Sequence, residues 1–438
     1  MECPLPLPNP SEKDMQRTLT NVAMAASGLL TINTITSAET ITVCAKGCQY
    51  ASINAAIDAA SDGDVIQLSA QTYRESETID TDGKAITLLG VVDDLDNPAS
   101  ILDGGNTFEG TNGIQVLICQ NGETSTTVFK NLQVMNGYAD LGGGMANFNS
   151  SPTLIHCAFI DNTASTAGGG MANINSSPTL TDCLFVYNVG SQAGGGMCNA
   201  AYSSPNLTDC TFNGNSVTVG GGGGGMCNDG NCNPTLTRCL FIYNRASGTD
   251  EGDGGGGIRN NNDSSPVLNH CTFTANASSK LGGGILNHGS SPTLTECMFT
   301  NNSASEEGGG IWNESSSNMS MTDCTFMNNQ VQNGVGAAMY NLDSSPILTD
   351  CNFCGNLSQI GFISLGGGGY DPASTGTPPL EAPCVLGDMN FDGVVNLADR
   401  NDLNTVIGIC AADVNGDGTV DGADLAYVLG YWGLCSAP

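Results

Sequence analysis

Positive charge is nearly missing from this chain: Lys and Arg number 11 against 43 Asp and Glu, a formal net charge of −32 over 438 residues. A surface that tracks phosphates needs clustered Lys and Arg, so charge alone excludes nucleic acid as a partner. Calcium ions, or cationic surfaces reached through them, suit the sign better. Charged residues of either sign make up only 12% of the chain, so solubility rests on Asn, Ser and Thr rather than on ion pairs, a composition that fits β-solenoids better than helical proteins. No stretch supplies the roughly 20 apolar residues that a membrane-spanning helix requires, which predicts no transmembrane segment in the mature chain.

What is present starts with Met15-Gln16-Arg17, a weakly apolar stretch from Leu19 to Ile35, and the small residues Thr36-Ser37-Ala38. This order reads residues 1–38 as an export signal, with a disordered N-terminal tail as the alternative. The expected location is secreted, extracellular or cell surface. Nineteen cysteines would then suggest a disulfide scaffold, but eight of them belong to a repeat.

Eight copies of Cys-x-Phe-x-x-Asn begin at Cys157, Cys183, Cys210, Cys239, Cys271, Cys297, Cys324 and Cys351, at steps of 26 to 32 residues. Each follows a Ser-Ser-Pro-like turn and a β-prone segment such as Thr179-Leu180-Thr181; Asn233-Pro234 and Ser317-Asn318 are its weakest versions. Between copies lies a glycine run, then Met or Ile, any residue, and Asn, as in Met197 to Asn199 and Ile285 to Asn287. Three short extended segments per period, joined by turns too short for a helix, bury their apolar side chains only by stacking on neighbouring coils. The expected fold is all-β, a right-handed parallel β-helix over residues 39–370, with a cap and looser coils in 39–140 and regular repeats in 141–370.

Stacking in register places each Cys, Phe and Asn roughly 4.8 Å from its counterpart, in internal ladders. A metal or redox reading of the Cys ladder fails because a one-dimensional stack does not converge on an ion; buried free thiols acting as small hydrophobes fit better. Disulfides are expected elsewhere, at Cys44 and Cys48 and among Cys384, Cys410 and Cys435.

The alternation of Gly-Gly-Gly-(Met/Ile) with Phe-x-x-Asn resembles the repeats of polymorphic outer membrane proteins. That resemblance implies a surface-displayed, often adhesive β-helix. Upstream, Tyr50-Ala51-Ser52-Ile53, Ala56-Ile57, Ser61-Asp62-Gly63-Asp64-Val65-Ile66 and Tyr73 resemble the opening of pectate-lyase-like β-helix proteins, which implies a short helix capping the first coil. Ile53, Ala56, Ile57 and Ala60 sit at helical spacing and could cover the apolar end of the solenoid, with Asp58 and Asp62 facing water.

A Pro, Thr and Ser rich linker, residues 371–383, leads to a second domain at 384–438. Two twelve-residue loops there carry calcium-ligand spacing: Asp388, Asn390, Asp392, the Val394 carbonyl, Asn396 and Asp399, then Asp413, Asn415, Asp417, the Thr419 carbonyl, Asp421 and Asp424. Oxygens at positions 1, 3, 5, 7, 9 and 12 surround Ca²⁺ while Gly at 6 permits the turn. Asp at position 12, the 25-residue separation and the helix-like Ala423 to Leu429 resemble a type I dockerin, a small α-helical EF-hand-like domain. That resemblance implies a cohesin-like partner, although the partner-reading Ser or Thr of loop positions 10 and 11 is replaced by Leu397-Ala398 and Gly422-Ala423.

For catalysis, the one region where both charge signs accumulate is the longest insertion, with Arg245, Glu251, Asp253 and Arg259 near His270. Asn287-His288-Gly289 is superficially similar to the Gly-His-Gly element of polygalacturonase-like enzymes, but its companion elements are not found and a loop histidine is the better reading. The residues before the ladder cysteines, His156, Asp182, Asp209, Arg238, His270, Glu296, Asp323 and Asp350, are read as a solvated corner, or as a strip for calcium or sugar hydroxyls. Trp312 and Tyr340 are candidates for a sugar-stacking platform. The function expected from these features is an extracellular binding or structural β-helix, adhesin-like or carbohydrate-associated, assembled through its calcium module. The alternative is a polysaccharide lyase or glycoside hydrolase.

Overall fold

The computed structural model describes residues 38–106, 113–250, 252–358 and 365–366; residues 1–37, the linker and both calcium loops lie outside them. Over the described span every strand ladder is parallel, and the strands form four sheets of 12, 11, 11 and 9 members. The chain is a parallel β-solenoid. One coil shows the plan: a Leu strand (Thr179–Thr181), a Phe strand (Leu184–Val186), a short strand (Val189–Gly190) and a Met strand (Met197–Ala200). Four strands per coil replace the three that the repeat suggested. After Tyr138–Leu141 and Thr163–Ala167 the additional one is only two residues long and varies from Val189–Gly190 to Arg245–Ala246, so it leaves no periodic signature.

Single left-handed residues make the corners on either side of the Phe strand, here Asp182 and Tyr187, both at φ 54°. All eight residues before the ladder cysteines lie at φ between 50° and 56°, so that column is a corner. The glycine run makes the next corner. Gly194 sits at φ 57°, and a Cβ on Gly195 or Gly196 would come within 2.5 or 2.6 Å of a carbonyl oxygen in the following coil.

Identical inward residues then stack. The rings from Phe159 to Phe353 lie parallel with centroids 4.7–4.9 Å apart. From Asn147 to Asn341 each side-chain amide donates to the next at 2.8 Å. A second ladder, Asn162 to Asn356, fills the corner after the Phe strand. There the Nδ2 of each asparagine from Asn188 to Asn329 donates to the next Asn Oδ1 and to a Phe carbonyl of the previous coil, as in Asn215. The first ladder ends for a visible reason: Cys119 lies in register before Asn147, offers no amide, and leaves Asn147 Oδ1 without a partner.

The cysteines from Cys157 to Cys324 are buried free thiols. Each donates to the carbonyl two residues earlier, as Cys183 does to Thr181 at 3.4 Å. Burial pushes the Cys157, Cys210 and Cys271 thiols well above their ordinary range, which suits hydrophobic packing and not metal binding. The disulfide expected at Cys44–Cys48 is present.

The first coil is closed by helix α1 (Ile53–Ala59), which buries Ile53, Ala56 and Ile57. Ser52 Oγ accepts from Ala55 N, and Glu75 accepts from Ser52 Oγ and Ile53 N, both at 2.7 Å, so the cap is hydrogen-bonded as well as apolar. Asp58 and Asp62 face solvent.

Candidate functional site

Along each Met strand, alternate residues turn outward. In Ile258–Asn261, Ile258 and Asn260 point into the core while Arg259 and Asn261 point out. Registration brings Arg259 next to Leu286, Leu286 to Trp312 and Trp312 to Tyr340; one position on, it aligns Asn261, His288 and Glu314. Segments that connect the short sheet to the glycine runs rise beside this face. Together they enclose a lateral groove of about 760 Å³, lined among others by Arg259, Asn261, His288, Glu307, Trp312 and Glu314.

The groove carries opposed charge. His288 Nδ1 hydrogen-bonds the Glu314 carboxylate of the next coil, a pairing that orients the imidazole. Trp312 Nε1 donates to Glu307 Oε2 at 3.3 Å, and Lys280 pairs with Glu306 at 2.8 Å. Burial and the Glu307 carboxylate push the Tyr340 phenol up. Arg259 Nε is buried and has no hydrogen-bond partner among the described residues. An unmatched buried donor is costly, and a ligand hydroxyl or carboxylate in the groove would meet this guanidinium once the side chain turned toward it.

Of the five residues singled out for catalysis, the four that are described do not converge. Arg259 lines the groove, whereas Arg245 is exposed on the short sheet, with Nε donating to Ser247 Oγ at 2.9 Å. Asp253 is buried and accepts from Asp250 N at 2.8 Å, which makes it a brace of its own loop. His270 stands at the corner between the Leu and Phe sheets, 3.2 Å from Glu296, on another face of the coil. Glu251 lies outside the described residues, as do all twelve calcium-loop positions.

The corner column is solvated as expected, with none of its eight residues buried, and part of it is ion-paired: Arg238 bonds Asp209 at 2.7 Å and His270 faces Glu296. Two further readings change. Trp312 is 3% exposed and packs with Leu281 and Leu286, so its ring is no platform for a sugar. Conversely, His288 closes the strand Ile285–His288 and is not a loop residue. Its partnership with Glu314 was encoded by position, since each follows a ladder asparagine, Asn287 and Asn313.

Comparison with known proteins agrees with this geometry at the level of fold. The sequence signature described as right handed beta helix region matches residues 221–371. Together with the parallel register, that match defines the fold as a right-handed parallel β-helix, all-β among the described residues apart from the short cap. Among solved structures the chain is similar to pectate lyase Pel9A, at 14% identity and TM-score 0.42, covering 73% of this chain and 79% of that one. It is also similar to a mannuronic acid specific polysaccharide family 6 lyase from human gut microbiota, at 11% identity and TM-score 0.37, covering 84% and 99%. No curated protein sequence matches it.

Proposed function

We propose that this chain is an extracellular binding solenoid for extended glycans, held in an assembly or on a surface by its C-terminal calcium-dependent, dockerin-like module. The lateral groove carries the reading. It is long in the direction of the axis, mixes hydrogen-bonding side chains with an apolar wall, and carries Arg259 in its lining beside the His288–Glu314 pair. A cohesin-like module or a cell-surface component is the partner this reading assigns to the tail, with Ca²⁺ held by the loops beginning at Asp388 and Asp413. Isothermal titration of the full chain with a panel of plant and algal polysaccharides tests the groove. Arg259→Gln and His288→Ala should each weaken binding roughly tenfold; equal affinity in wild type and both variants would discard the groove as the site.

A second reading, polysaccharide lyase or glycoside hydrolase, is favoured by one observation: Glu314 orients His288 as a base within the groove that also holds a guanidinium. Release of reducing ends or unsaturated uronates in the presence of Ca²⁺, abolished by His288→Ala, would establish it. No release across the panel leaves binding as the function.

A further inference from the structure

A second feature lies away from the groove, at the corner between the Phe and short strands. Most coils place Asp, Asn or Gly there, as at Asp161, Gly214, Asn301 and Asn328, because the corner requires φ near +55°. Two coils place tyrosine instead: Tyr187 at φ 54° and Tyr243 at φ 55°. A bulky side chain in the left-handed region is strained, and neither ring recovers the cost by burial, since they are 58% and 64% exposed. Local strain combined with an exposed aromatic ring marks a position kept for contact with something else.

The geometry between the rings is ordered. Tyr187 and Tyr243 are two coils apart, each coil rising 4.7 Å as the Phe stack measures it. The intervening corner is Gly214, where a Cβ would come 2.5 Å from Tyr187 Cε1, so the ring lies along the axis against the glycine. Beside the rings the sheet turns the polar Asn213 outward in the middle coil, in register with Val186 and Ile242 on its neighbours. The exposed guanidinium of Arg245 follows Tyr243 on the short strand, in register with Ser216.

We infer that this tyrosine corner is a second binding strip, for a neutral extended polysaccharide whose pyranose faces stack on Tyr187 and Tyr243 while Asn213 and Arg245 hydrogen-bond its hydroxyls. Exposed aromatic rings on a rigid support suit the apolar C–H faces of sugars. A separation of two coils, each rising 4.7 Å, matches alternate residues of an extended chain. The net charge of −32 opposes a polyanion at this open surface.

The strip is independent of the groove, and the test separates them. Tyr187→Asn and Tyr243→Asn install a residue the column already uses, so both variants should fold and unfold at a temperature equal to or above wild type. Affinity electrophoresis of the full chain in gels containing xyloglucan, galactomannan or mixed-linkage β-glucan should show retardation by at least one. Each single variant should weaken it roughly tenfold, and the double variant should abolish it. Retardation that falls with Arg259→Gln but not with the tyrosine variants would belong to the groove and would overturn the strip. The inference fails if none of the three neutral glycans retards the wild type, or if the double variant is retarded equally. It fails too if the tyrosine variants change only self-association measured by light scattering.

Discussion

Glu123 is 2% exposed and yet remains charged, because Thr81 Oγ1, Gly83 N, Asn121 N and Ser150 Oγ all donate to its carboxylate at 2.8–2.9 Å. Burial alone would raise its pKa; hydrogen bonds from its own backbone and from Gly83, Ser150 and Thr81 outweigh that and hold it below the ordinary 4.5. A depressed folded pKa stabilises the protein fully above the unfolded value, and the contribution is lost as pH falls through the folded one. Thermal unfolding between pH 6 and 3 should therefore show wild type losing stability below about pH 4.5, while Glu123→Gln should show a shallower loss. At pH 7, Glu123→Ala leaves these donors unpaired and should cost about 3 kcal/mol in a denaturant titration. Asn215 behaves similarly without charge. It links Asn188, Phe185 and Asn244 through four hydrogen bonds, so Asn215→Ala should cost about 3 kcal/mol, and an effect under 1 kcal/mol would remove the ladder from the account.

At the scale of the strand and the coil, the stacked phenylalanines and thiols form one core, continuous from coil to coil. Truncating Phe212, fully buried between Phe185 and Phe241, should cost roughly 3–5 kcal/mol. A thiol reagent applied to the folded chain should leave Cys183, Cys210 and Cys239 unmodified, and mass spectrometry after guanidinium treatment should find them labelled; labelling in native buffer would contradict their burial. These inward features were legible in the sequence because every coil repeats the same residue at the same place: Cys-x-Phe-x-x-Asn fixes which side chain meets which. The short fourth strand was hidden by its length and its varied residues, such as Val189, Ser216 and Arg245. The groove was hidden for a related reason. Outward residues differ from coil to coil, so Arg259, His288 and Glu314 become neighbours only once register is known, and the long insertion drew attention toward His270, which lies on another face.

Across the whole molecule, each coil rests only on the coil before and after it, so stability should follow nearest-neighbour addition rather than a single fixed core. Deleting one full period, residues 183–209, rejoins Asp182 to Cys210 in the same phase. That variant should retain cooperative unfolding and β-type circular dichroism, whereas deleting half a period should destroy both. The proposed C-terminal module should answer to calcium. Calorimetry of the full chain should register two Ca²⁺ sites, with Asp388→Asn and Asp413→Asn each removing one; a chain silent to Ca²⁺ would refute the attachment mechanism. The most direct test of the binding function is a crystal structure of the full chain soaked with an oligosaccharide drawn from the polysaccharide that binds most tightly. The account predicts sugar density in the lateral groove, with a ligand oxygen on the Arg259 guanidinium and a second contact at His288 or Glu314; an empty groove in a crystal that holds the sugar elsewhere would contradict it.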